Sequence, residues 1–183
     1  MSPPTWLPDW LTPALELGRT QQFGLAFLLG SFTVATWSDL KHLSAQREFL
    51  DIWLAFLVGR LIFDLYEVAI AGKLPWQVVA VKWCLIGLFS LLSLEKLRLR
   101  RGLFWLANAD VAALAAAASL LSPVLIVIFY LLAKLVSLVV RPLLQRGRQP
   151  YPFMPVVSLT TLAVLALGLI WQASSVPAAS AGP

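Results

Sequence analysis

Six apolar stretches run along the chain, at about 23–37, 49–71, 75–94, 103–121, 123–140 and 153–171, and most of the charge lies between them. Runs of this length and polarity suit helices that cross a bilayer, whose apolar core takes about 20 residues of helix. The chain is 60% hydrophobic and 13% charged. A soluble domain carries roughly 45–50% apolar and about 25% charged residues, so this one lacks the means to cover itself in water. The expectation is an all-α integral membrane protein of about six transmembrane helices. Residues 21–173 would form one membrane domain and 174–183 a loose Ala/Ser/Pro-rich tail. Residues 1–20 hold four prolines with Trp6 and Trp10 and lack a signal-peptide pattern, which suits a segment lying at the interface.

The net charge of +5 does not point to nucleic acid, because the basic residues cluster between apolar runs. With the N-terminus outside, the inner segments hold Lys41, Arg47, Lys96, Arg98, Arg100, Arg101, Arg141, Arg146 and Arg148, against Arg19 and Lys73 outside. That asymmetry orients the chain with both termini outside and makes it a multi-pass protein of the cell membrane. Cys84, alone in its run, reads as a small buried apolar residue. No cysteine or histidine pattern suggests a metal, and no cofactor is expected.

Two acids stand out. Asp39 falls at the inner end of the first span. Asp110 lies in the fourth, among alanines, roughly 12 Å along a helix from Gly102 at about 1.5 Å per residue. Both therefore approach the same half of the membrane. Neighbouring carboxyls do not both ionise easily, so one keeps its proton. The ionised acid can then take a proton from water while the neutral one polarises a peptide carbonyl. The alternative is structural: Asp39 as a helix-end polar residue and Asp110 paired with a basic neighbour. Spacing leaves both open.

The residues around these acids resemble the prepilin peptidases, membrane aspartic peptidases that include the preflagellin (archaellin) peptidases. Ser38-Asp39-Leu40-Lys41 after an apolar span is similar to the family's first motif. Ala107-Asn108-Ala109-Asp110-Val111 lies where the family has Gly-x-Gly-Asp, and Pro150-Tyr151-Pro152-Phe153-Met154-Pro155 resembles the lead-in to its final helix. The resemblance covers most of the chain from Thr36 onward. It implies an aspartic endopeptidase, with Asp39 and Asp110 catalytic, that removes the short basic leader of prepilin-like or prearchaellin-like precursors at the cytoplasmic face. Its partners would be precursors with a class III signal peptide, and membrane lipid. Two departures are plain: both motif glycines are alanine, and the usual basic residue after Asp-Val is Ala112. Alanine is closed to the positive φ that glycine allows, so an unwound motif would have to be reached another way. One cysteine and a short inner loop imply the compact, archaeal-like form, without the N-methylation found in many bacterial members.

Other polar residues have lesser expectations. Glu48 and Asp51 near the inner face suit the basic start of a substrate, or cap the second helix. Lys134 sits at a depth near that of Asp110, where it would modulate that acid's pKa or snorkel inward. Arg60, Asp64, Glu67 and Lys82 read as a structural ion network in the outer half. His42, the only histidine, reads as solvated, and Ala115–Ala118 with Ser119 as a close-packing surface. Two rival functions remain: a small ion- or proton-coupled transporter, favoured slightly by the outer-half charges, and a non-catalytic relative that binds signal helices.

Overall fold

A computed structural model describes residues 16–42, 47–72, 74–94, 106–144 and 152–175. Among them there are six helices and no strand: α1 Arg19–His42, α2 Arg47–Ala69, α3 Trp76–Ser93, α4 Asn108–Ala118, α5 Pro123–Leu144 and α6 Met154–Ser175. Three segments, Arg19–Lys41, Trp76–Ser93 and Pro123–Leu143, are long and apolar enough to cross a membrane. Large apolar side chains face outward along them, including Phe23, Phe27, Trp37, Trp76, Leu131 and Leu138. An outside as apolar as the inside is what a hydrocarbon solvent permits. The composition and these helices are those of a membrane protein.

The bundle is organised around its shortest helix. α4 packs against every one of the other five. Val111 through Ala118 are all buried, and Ala113, Ala116, Ala117 and Ala118 have no exposed surface. Methyl side chains let neighbouring backbones approach closely, which is how membrane helices associate without a hydrophobic drive between them. The alanine run is the packing surface expected for it, and Ser119 is buried with it.

The extent of α4 differs from expectation. Eleven residues make about 16 Å of helix, short of the roughly 30 Å of a bilayer core. Its start is set by backbone pairing: the Leu106 N–H donates to the Ser93 carbonyl at 3.0 Å, and Leu94 and Leu106 form an isolated bridge. Ala107 is extended, at φ −68° and ψ 159°, and the helix begins after it. At the other end Leu120 and Leu121 tighten the last turn by donating to Ala117 and Ala118. Ser122 then caps α5 through a 3.3 Å bond from the Leu125 N–H, with Pro123 at its first position, where a missing N–H costs nothing. Gly24 lets α1 lie against this turn, since a Cβ there would meet Leu120 at 2.8 Å.

α1 and α6 form the most extensive pair, with α5 also along α6. Three polar contacts tie the pair from end to end. Gln172 Nε2 donates to the Leu17 carbonyl at 2.6 Å, the hydroxyls of Thr36 and Ser158 meet at 2.7 Å, and Asp39 reaches the start of α6. Trp53 of α2 is fully buried, with its ring edge-on to Phe32 and its Nε1 donating to Ser31. Gly72 closes the turn between α2 and α3 at φ 59°, a left-handed conformation open to glycine.

Cys84 departs from its expected place: it is exposed on α3, because the buried stripe of that helix falls on Val79, Lys82, Ile86 and Ser93. The expected interfacial segment 1–20 is described only from residue 16. Of the tail at 174–183, the described residues 174–175 continue α6. The inner-loop cations Lys96, Arg98, Arg100, Arg101, Arg146 and Arg148 lie outside the described residues.

Candidate active site

Four helix ends meet at one end of the bundle: the C-termini of α1 and α3 and the N-termini of α4 and α6. Helix N-termini carry unpaired N–H groups and the positive end of the helix dipole, so acidic groups are favoured there. Asp110 lies at such an end, and Asp39 reaches one from the C-terminal turn of α1.

Asp39, on the last turn of α1, is buried at 7% exposure. Its Oδ2 accepts the backbone N–H of Met154, the first residue of α6, at 3.1 Å, and the Phe153 N–H also donates to the carboxylate. Local sequence explains why these two amides are the donors. Pro155 has no N–H to offer. The N–H groups of Val156 and Val157 turn back to the Phe153 carbonyl, at 2.9 and 3.4 Å. The amides of Phe153 and Met154 are left, and a side chain from another helix meets them.

Asp110 occupies the first turn of α4, half-buried rather than deep along a span, because the chain before Asn108 is extended. Its carboxyl accepts the N–H of Ala107, the N-cap, from three residues on. This is the reciprocal half of a capping box, with Asp in the place of Glu. The two carboxyls, 71 positions apart in the chain, stand near enough for the charge of Asp39 to act on Asp110.

The alanines at 107 and 109 sit without backbone strain. Ala107 has an ordinary extended φ of −68°, and Ala109 is helical. Neither position asks for a positive φ. The break that a glycine would supply is made instead by the Leu94–Leu106 pairing before the helix.

The remaining candidates lie on α1, α2 and α5. Glu48 and Asp51 are exposed on the first turns of α2, where acids complement the helix dipole. Lys134 is half-buried on α5, one of the helices touching α4. His42 ends α1, and its side chain is outside the described part.

Asp64 sits in a separate cluster between α2 and α3. It is 1% exposed; Arg60 Nη2 lies 2.8 Å from Oδ1 and Lys82 Nζ 2.7 Å from Oδ2. Trp83 Nε1 donates to the same Oδ2 at 3.0 Å. Glu67, half-buried, acts on Lys82 through space alone. Of the network expected from four-residue and cross-hairpin spacing, the Arg60, Asp64 and Lys82 contacts are present, with Trp83 as a member that spacing did not indicate.

Two features of the site were not read from sequence. One is the contact of Asp39 with Phe153 and Met154, for which Pro155 was the available signal, since proline near a helix start marks where N–H groups are left over. The other is the Thr36–Ser158 pair, signalled by hydroxyls placed in apolar helices. No protein-family model, curated protein or solved structure matches this chain.

Proposed function

We propose that this chain is an aspartic endopeptidase of the membrane, built on Asp39 and Asp110. The observation that carries the reading is that Asp39, at the start of α6, and Asp110, in the first turn of α4, stand at adjoining helix ends, within reach of each other's charge. A carboxylate and a carboxylic acid side by side are the equipment for activating water against a peptide carbonyl. The carboxylate removes a proton from water, and the acid stabilises the developing oxyanion. The same pair then passes a proton to the leaving amine.

The substrate class follows from the resemblance to prepilin and preflagellin peptidases: a precursor with a short basic leader ahead of an apolar helix, cut at the cytoplasmic face. The chain crosses the cell membrane about six times with both termini outside, and exposed Glu48 and Asp51 attract the basic leader. No cofactor or metal takes part in this chemistry.

A second reading is favoured by one observation, the contacts that make each acid a helix cap. Asp39 would then join α1 to α6, Asp110 would start α4, and the chain would be a non-catalytic relative that binds signal helices. The transporter reading loses support, since Arg60 and Lys82 both pair with the buried Asp64.

The deciding experiment incubates the purified chain with a peptide carrying a lysine-rich leader ahead of an apolar helix. Cleavage lost in both Asp39→Ala and Asp110→Ala supports the peptidase. Cleavage retained in both removes the assignment, and a folded wild-type chain that binds the peptide uncut moves it to the second reading.

A further inference from the structure

We propose that the Thr36–Ser158 hydroxyl pair is a positioning contact for Asp39, setting the register of α1 against α6; this rests on the peptidase reading. Thr36 lies three residues before Asp39, and Ser158 four after Met154, so each is on the face of its helix that carries the contact at the site. The two hydroxyls meet at 2.7 Å, one turn further into the bundle than the 3.1 Å bond from Met154 N–H to Asp39. Both are half-buried, on helices that are largely apolar.

An apolar interface sets register poorly. Leucine and valine side chains fix register only through the fit of their shapes, and in a membrane no hydrophobic drive adds to that packing. A pair of hydroxyls is different, because a shift along the axis breaks the bond between them and leaves each only a carbonyl of its own helix to turn back to. One helical residue is about 1.5 Å of rise, enough to take a carboxylate out of reach of a fixed N–H. The far end of the same pair is tied by Gln172 to Leu17, but that contact lies several turns away. Thr36 and Ser158 supply the local constraint. Neither touches the reacting groups; they act through Asp39.

The test uses the full chain in lipid nanodiscs, the lysine-leader peptide, and a Cys84→Ser background. Thr36→Val and Ser158→Ala each lower kcat roughly tenfold with KM unchanged, as a displaced catalytic group does. The double variant is no worse than either single one, because both remove the same contact. Thr36→Ser restores the rate, since it keeps the hydroxyl. Spin labels at the exposed positions Trp37 and Leu159 give one narrow distance in the parent and a shifted or broadened one in Thr36→Val.

Full kcat in Thr36→Val, an equal loss in Thr36→Ser, or lost activity with an unchanged distance each overturns the positioning role while leaving the peptidase reading intact. A parent chain that does not cleave overturns the peptidase reading and the positioning role with it. The distance measurement still shows whether the hydroxyl pair holds the register.

Discussion

The Asp39 carboxylate accepts the backbone N–H of Met154 at 3.1 Å, a bond between residues 115 apart that joins the last turn of α1 to the first turn of α6. The bond makes one side chain both a helix cap and half of the coupled pair with Asp110. The two roles separate by substitution. Asn keeps an acceptor oxygen for the amides but has no acid, whereas Ala removes both. Asp39→Asn therefore keeps its thermal midpoint and loses cleavage; Asp39→Ala also loses about 1 kcal/mol of stability with its cap. Unfolding in detergent beside the peptide assay checks both.

Peptide cleavage by the pair requires one ionised and one protonated carboxyl. The dependence of kcat/KM on pH is then a bell, with two macroscopic flanks belonging to the pair rather than to either residue. A rate that rises through a single titration and stays on a plateau would mean that one acid suffices.

Glycine at the motif positions brings no gain. Ala107 is already at a φ any residue adopts, and Ala109 is helical. Ala107→Gly leaves cleavage within about twofold. Ala109→Gly lowers stability by about 1 kcal/mol, the ordinary difference between glycine and alanine in a helix. A large increase in rate from either change would show that the unwound stretch before α4 does not replace the glycines.

The Asp64 cluster acts on the hairpin and not on the pair at the other helix ends. Lys82→Met leaves the buried Asp64 with only Arg60 as its cation and destabilises by about 3 kcal/mol. The molecules that remain folded cleave at the parental rate, measured per active chain. Changed ion flux in liposomes with intact stability would restore the transporter reading.

Ala116 has no exposed surface, on a helix packed against all five others. Ala116→Leu adds three carbons where backbones already meet and costs about 1–3 kcal/mol. The same change at exposed Ala80 of α3 leaves the thermal midpoint where it was. Parallel melts of the two variants give the comparison.

Much of this architecture follows from the chain read in order. Apolar runs, proline at 123, glycine at 72 and the alanine run are local signals, and each became the helix, turn or packing surface its chemistry demands. The Arg60–Asp64 pair and its Lys82 partner were legible for the same reason: four-residue spacing and hairpin depth are short-range geometry. The length of α4 was not, because its start depends on Leu106 pairing with Ser93 and Leu94, which are more than ten residues away in the chain. Hydropathy has no term for that pairing. Nor could composition say that Cys84 faces outward, since in a membrane both faces of a helix are apolar and periodicity loses its meaning.

Asp39 and Asp110 show where that division falls. The sequence by itself determined that two acids stand beside apolar runs, at positions whose sidedness agrees. Only the tertiary structure decided that the charge of one bears on the other, and that each also holds a helix start. Helix ends leave N–H groups whose partners are chosen by which elements pack together, and that choice is made between residues far apart in the chain.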